Sequence, residues 1–213
     1  LPFSVNLTKN QPFHRPDGKD IVVKMMQERN SYFNYSEDSN HKMLSLNFRS
    51  DEAPSRISDL CRYALDIALP TTTRSMEFGP DDYNKLVQKL ARTKVIVGLP
   101  RFRFDYSKSL IEGLKAIGLK KAFAPSEADF TGLGQANRGG DLFISDVLQK
   151  TAVQMDENGF KAAAVTAVII STTSAPEPGE EKVFIADQPF FIALRDTKTG
   201  LILFQGVINN PRE

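Results

Sequence analysis

The C-terminal run limits the possible folds more than any other part of this chain. Pro189-Phe190-Phe191-Ile192-Ala193-Leu194 and Leu201-Ile202-Leu203-Phe204-Gln205-Gly206-Val207-Ile208 flank Asp196-Thr197-Lys198-Thr199-Gly200. Two β-prone runs around a polar, glycine-ended turn predict an antiparallel hairpin. A half-buried strand alternates apolar and polar residues, whereas these flanks are almost unbroken in apolar character, so the hairpin is expected to be buried on both faces. It therefore requires a sheet covered from two sides.

Upstream, Ile21–Met26, Tyr32–Tyr35 and Met43–Phe48 read as strands, and Tyr63–Leu69 continues the β pattern until Pro70. The period changes at Pro80. Tyr83, Leu86, Val87 and Leu90 share one helical face, with Pro80, Asp81 and Asp82 suited to a helix start, which predicts a helix ending near Arg92. Val95–Val97 and Arg101–Phe104 read again as strand, the second part alternating so that both Phe rings face a core and both Arg side chains face out. Leu110, Ile111, Leu114 and Ile117 predict a second helix, capped by Ser107 and terminated by Gly118. Residues 141–156 read as one long strand.

Several function classes are excluded on composition and motifs. The 213 residues are 41% hydrophobic and 25% charged with a formal charge of +1, so no global field draws the chain to nucleic acid or membrane, and neither is expected as a partner. One basic stretch, Arg92, Lys94, Arg101, Arg103, Lys115, Lys120 and Lys121, offers a local patch that solvated helix and strand faces also explain. No apolar run approaches the roughly 20 residues of a membrane-spanning helix. Cys61 is the single cysteine, which rules out an internal disulfide and reads as a core thiol. Asn6-Leu7-Thr8 and Asn34-Tyr35-Ser36 fit the N-glycosylation acceptor pattern.

The catalytic kits are missing. No Gly-x-Ser-x-Gly occurs, and the two histidines, His14 and His41, lie in polar loop contexts too far apart for a helix-borne metal pair. Gly132-Leu133-Gly134 begins like a dinucleotide fingerprint, but Asn137 stands at its third glycine, and Gly140 replaces the lysine that Gly134–Gly139 would need for a phosphate loop. No cofactor or metal is expected, and no enzymatic activity.

The remaining informative stretch is Asp156-Glu157-Asn158-Gly159-Phe160-Lys161-Ala162-Ala163-Ala164-Val165-Thr166, a turn followed by small residues that tolerate either solvent or a sheet. Ser171-Thr172-Thr173-Ser174-Ala175-Pro176-Glu177-Pro178-Gly179-Glu180-Glu181-Lys182 follows, with the composition of an exposed loop that proteases cut. Taken alone, 157–182 could also be a plain surface connection between two strands.

The order of acidic hinge, small-residue run, cuttable loop and apolar end resembles the hinge and reactive loop of the serpins. Val183-Phe184-Ile185-Ala186-Asp187-Gln188-Pro189-Phe190-Phe191-Ile192 with Gly200–Val207 is similar to that family's C-terminal signature. Val23-Lys24-Met25-Met26, Val97-Gly98-Leu99-Pro100-Arg101-Phe102-Arg103-Phe104 and Ala122–Leu133 add further matches. The resemblance implies the C-terminal part of a single serpin domain of the α+β class, with antiparallel and mixed sheets and a few helices. Leu1-Pro2-Phe3 corresponds to the family's middle, so the N-terminal portion of the same serpin is an expected partner of these strands.

In mechanism, the resemblance implies a suicide substrate. A serine protease attacks the loop, and the freed hinge inserts as a strand of the main sheet, trapping the protease covalently. The hinge residues are then Glu157, Gly159, Phe160, Ala162, Ala163, Ala164 and Thr166, and the family's hinge-to-bond spacing puts the reactive bond at Thr173-Ser174, with Thr172 the next choice. A small β-branched residue there suits an elastase-like target rather than a trypsin-like one. Phe160 departs from the small residue usual at its position, and Lys161 and Gln149 depart from the acidic residue and histidine usual at theirs. A slow insertion would leave a non-inhibitory serpin, acting as carrier, chaperone or storage protein. Some serpins bind sulfated polysaccharide, a weaker expectation for the basic stretch. A secreted location is expected over a cytoplasmic one.

Overall fold

The computed structural model describes residues 3–48, 62–72, 76–134, 142–162 and 181–212. In chain order the regular elements are β1 (Lys9–His14), β2 (Asp20–Glu37), β3 (His41–Phe48), β4 (Tyr63–Pro70), α1 (Pro80–Gln88), β5 (Ala91–Pro100), β6 (Phe102–Ser109), α2 (Ile111–Ala116), β7 (Leu148–Asp156), β8 (Gly159–Ala162), β9 (Lys182–Ile185), β10 (Phe190–Asp196) and β11 (Ile202–Ile208). The chain divides into two compact units, Leu1–Phe104 with Val153–Glu213, and Asp105–Ala152.

The first unit is built on an eight-stranded sheet in the order β11-β10-β4-β3-β2-β5-β9, with β1 paired to β2. All of its pairings are antiparallel except β5 with β9, which is parallel, so the sheet is mixed. The two strands expected over 21–35 are one strand of 18 residues, β2. Strand β5 accompanies it from Met25↔Pro100 to Tyr35↔Ala91 and a register shift between Glu28 and Ser31 absorbs the interruption, so the polar residues between the two apolar runs make a bulge instead of a turn.

Side-chain alternation gives this sheet two cores. Phe13, Met25, Leu44, Leu65, Ile67, Leu99, Phe184, Phe190 and Ile192 form the larger one. On β3, β4 and β10, the residues between them, Met43, Ala68 and Ala193, cluster with Tyr83 and Leu86 of α1. Two alanines under the helix allow its close approach. Beneath α1 lies Asp66, fully buried, accepting from Ser45 Oγ (2.5 Å), Tyr83 Oη (2.6 Å) and Arg195 Nε (2.7 Å). Each carboxylate oxygen is thus engaged, which a buried charge requires. Burial, and then the Asp66 charge, push the Tyr83 phenol above its ordinary range.

Helix α1 begins at Pro80 as its sequence predicts, with the Gly79 amide donating to Asp82 Oδ2 (3.1 Å), but it stops at Gln88, short of Arg92. Pairing of Ala91 with Tyr35 draws those residues into β5. The predicted C-terminal hairpin is present as β10 and β11. Strand β10 is largely buried on both faces, but the expectation fails for the second strand: Leu201, just before β11, and Leu203 and Val207 within it are exposed.

In the second unit, α2 spans Ile111–Ala116 and Gly118, at φ +104°, takes the left-handed conformation expected of a terminator. Ser107 does not cap this helix. It belongs to β6, the N-cap position is Leu110, and the neighbouring Ser109 Oγ donates to Asp146 Oδ1 (2.6 Å). Strand β7 starts at Leu148, so the described residues 142–147 are not the strand their sequence suggests.

Candidate functional site: the turn between β7 and β8

Strand β7 ends at Asp156, whose Oδ1 accepts from the Asn158 amide (2.8 Å) and so tightens the turn Glu157-Asn158. Gly159 follows at φ +119°, a conformation that residues with a Cβ rarely adopt. The chain then returns as β8, antiparallel to β7, with Asp156↔Gly159, Met155↔Phe160, Gln154↔Lys161 and Val153↔Ala162. The order of the second, three-stranded sheet is β6-β7-β8. The start of the small-residue run is therefore a strand laid beside β7.

Glu157 lies at the turn, yet it is 4% exposed. Its Oε1 accepts from Thr8 Oγ1 (2.5 Å), and its Oε2 accepts from Arg101 Nε (2.7 Å) and Nη2 (2.5 Å). Burial pushes this carboxyl up, but donation from Arg101 and then Thr8 outweighs it and holds the group below its ordinary range. Charge-assisted bonds of this kind are the strong ones. Thr8 is placed by the 3-10 turn Val5–Leu7, on which its amide donates to the Val5 carbonyl (3.1 Å). Arg101 is placed between β5 and β6 by its amide, which donates to the Lys24 carbonyl (2.8 Å).

Of the residues the sequence singled out, Glu157, Gly159, Phe160 and Ala162 come together on this hairpin. Ala163, Ala164, Thr166, Thr173 and Ser174 lie outside the described residues, as does Cys61. The two clamping partners, Thr8 and Arg101, were not legible. Alternation assigned Arg101 outward, but it precedes the first residue of β6 and escapes that alternation; Phe102, buried and stacked on Phe104 (5.8 Å), and exposed Arg103 obey it. The usable signal was the acid itself, since an inward carboxylate needs a cation.

Strand β9, on the far side of the loop in sequence, pairs with β5 from Val95↔Lys182 to Gly98↔Ile185. Gly98 permits that approach: a Cβ there would stand 2.8 Å from Ile185 Cδ1. His41 is not the loop residue its sequence context suggests. It opens β3, is 6% exposed, and bonds through Nε2 to the Glu77 carbonyl (2.8 Å), while His14 at the end of β1 pairs with Asp20 (2.8 Å). Among the described residues no group of three potential ligands could hold a metal, and no described helix is long and apolar enough to cross a membrane. In the basic stretch, Lys94, Arg101 and Lys115 each hold a carboxylate, and Arg92 lies over the Tyr32 ring. Of the two glycosylation acceptors, Asn6 is exposed, whereas Asn34 sits mid-strand between Ser45 and Arg92, with Ser36 buried.

A mixed sheet with few helices among the described residues and a clamped β7–β8 hairpin is an α+β architecture, and comparison with known proteins identifies it. The family model described as serpin (serine protease inhibitor) matches residues 1–211. The chain belongs to the serpin family. It is 32% identical to an uncharacterised serpin-like protein of Thermococcus kodakarensis over 99% of this chain and 46% of that protein, and 28% identical to antithrombin-III of Mus musculus over 98% and 43%. Among solved structures, it matches native protease nexin-1 with heparin (TM-score 0.73, 25% identity) and the thermophilic serpin tengpin in the native state (TM-score 0.72, 27% identity), each over 99% of this chain and 52% of the other. It thus spans about half the length of these relatives.

Proposed function

We propose that this chain is the C-terminal part of a single serpin domain that inhibits a serine protease as a suicide substrate. The observation that carries the reading is the hairpin of β7 and β8. Three hinge residues, Gly159, Phe160 and Ala162, are registered antiparallel to β7, the pairing that an inserting loop would extend. An inserted strand making about ten further ladder bonds, each contributing roughly 0.5–1.5 kcal/mol, gives the insertion its driving force. The relatives named antithrombin-III and plasminogen activator inhibitor 1 support serine protease inhibition in this family.

The finer assignments are part of the same proposal. The hinge comprises Glu157, Gly159, Phe160, Ala162, Ala163, Ala164 and Thr166, and the reactive bond is Thr173-Ser174, which suits an elastase-like target. The remainder of the domain supplies the strand that β8 would face across the sheet. A secreted, glycosylated protein fits exposed Asn6 better than mid-strand Asn34. A polysaccharide site on the basic stretch is weakened by the carboxylates that Lys94, Arg101 and Lys115 already hold. The second reading, a non-inhibitory serpin, rests on Phe160, a large residue at the first step of insertion. Overpacking there costs about 1–3 kcal/mol.

The test is cleavage of the full-length protein by an elastase-like protease, with the new terminus sequenced and thermal unfolding compared before and after. A terminus at Ser174 and a large rise in Tm support the proposal. Cleavage with unchanged Tm shows a loop that does not insert.

A further inference from the structure

We infer that Asn6 is an N-glycosylation site that accepts its glycan only before the Glu157-Asn158 turn closes, because the Thr8 hydroxyl serves the glycosyl transfer first and the clamp on Glu157 afterwards. The acceptor pattern Asn6-Leu7-Thr8 needs a hydroxyl two residues after the asparagine. In the fold that hydroxyl is taken: Thr8 is half-buried and its Oγ1 donates to Glu157 Oε1 (2.5 Å). A hydroxyl has one hydrogen to donate and cannot face a transferase and Glu157 at once.

The backbone closes the same segment. The Leu7 amide donates to the Ser4 carbonyl (2.9 Å), the Thr8 amide donates to the Val5 carbonyl (3.1 Å), and Lys9 then pairs with Met25, so the acceptor cannot extend into an enzyme without breaking the turn. Chain synthesis gives the transfer its opportunity. Glu157 follows Thr8 by 149 residues, and at about 5–20 residues per second Thr8 is free for roughly 7–30 s before its partner exists. The finished fold also accommodates the product, since Asn6 is exposed between exposed Val5 and Leu7. The other acceptor differs. Asn34 lies in β2 between β3 and β5, on the sheet face it shares with Ser36, whose Oγ donates to the Leu86 carbonyl of α1 (2.8 Å), and a glycan there would crowd the helix.

In the transfer, the Asn6 amide nitrogen bonds to the anomeric carbon of an oligosaccharide carried on a lipid pyrophosphate. The bond from that carbon to the pyrophosphate oxygen breaks, the lipid pyrophosphate leaves with the electron pair, and the nitrogen releases one proton to the transferase. The modification rests on the secreted location proposed above and not on protease inhibition.

Two measurements on the full-length protein test the site and the competition. Expressed through the secretory pathway of a eukaryotic cell, the folded protein should carry a glycan on Asn6 and none on Asn34 by peptide mass spectrometry, with Thr8→Ser retaining it and Thr8→Val losing it. A bare Asn6, or a glycan on Asn34 instead, would overturn the site. The unglycosylated folded protein, made in bacteria, is then incubated with purified oligosaccharyltransferase and a lipid-pyrophosphate-linked oligosaccharide. Transfer to Asn6 should be about tenfold or more faster in Glu157→Ala than in the parent, the weight of a hydrogen bond to a charged group, and unchanged in Arg195→Leu, which loosens the fold away from Thr8. Equal rates in the parent and Glu157→Ala, zero included, would overturn the competition. An equal gain in Arg195→Leu would assign the effect to general unfolding and overturn it too. A glycan on Asn6 from the host, with the native protein retained in the cytoplasm of its own cells, would count against the secreted location alone.

Discussion

Replacing Thr8 by Val removes one hydroxyl from the clamp on Glu157 while keeping the side chain's shape. The lost bond is short, 2.5 Å, and goes to a carboxylate whose side chain is 5% exposed, so water replaces it poorly. Hydrogen bonds to charged groups contribute about 1.5–3 kcal/mol, or roughly a 10- to 150-fold change in the opening of the Glu157-Asn158 turn. The assay is native-state hydrogen exchange at the amides of 159–162. Thr8→Ser should restore protection, and exchange in Thr8→Val within twofold of the parent protein would refute the clamp. Arg101→Leu is the harsher change, leaving a buried carboxylate without its cation at about 3–5 kcal/mol. Because both donors act on one carboxylate, the double variant should be non-additive.

The same carboxylate sets a pH dependence. Its clamped pKa is depressed, so the clamp is complete above the ordinary glutamate value of about 4.3 and is lost as pH falls through the lower, clamped value. Protection at 159–162 should therefore fall in acid, and in Thr8→Val it should begin to fall at a higher pH than in the parent protein.

Other perturbations probe the remaining claims. Phe160→Thr should raise trapping efficiency about tenfold, the effect of lowering the insertion barrier by about 1.4 kcal/mol; an unchanged ratio of trapped to hydrolysed protease would sink the overpacking argument. Arg195→Leu leaves Asp66 buried without its cation and should destabilise the protein by about 3–5 kcal/mol in denaturant unfolding, whereas a midpoint equal to the parent's would show the network to be dispensable. The raised Tyr83 phenol should remain protonated beyond the ordinary tyrosine range in a spectrophotometric titration. Its contribution to stability is complete below about pH 10 and declines as pH rises toward its folded value, so Tyr83→Phe should flatten the alkaline limb of stability against pH.

Local pattern carried much of the fold. The periodicity of Tyr83 and Leu86 gave α1, the apolar flanks of 196–200 gave the β10–β11 hairpin, and Gly118 marked a helix end. Where long-range pairing competes with local signals, local pattern misleads. The 18 residues of β2 looked like two strands because a bulge and a turn present similar polar residues, and only the continuous partner β5 decides between them. The end of α1 moved for the same reason, since Ala91 answers to Tyr35 rather than to its own helix. In the site, Glu157 and Gly159 were marked by their own chemistry. Thr8 and Arg101 lie 149 and 56 residues away from Glu157, a separation that no spacing rule reaches.

A protease trap of the proposed kind is tested most directly by a denaturing gel of the full-length protein incubated with an elastase-like serine protease. The expected product is a covalent complex that survives denaturation, with the loop cut at Thr173-Ser174. Complete cleavage at that bond with the protease released free and active would contradict it.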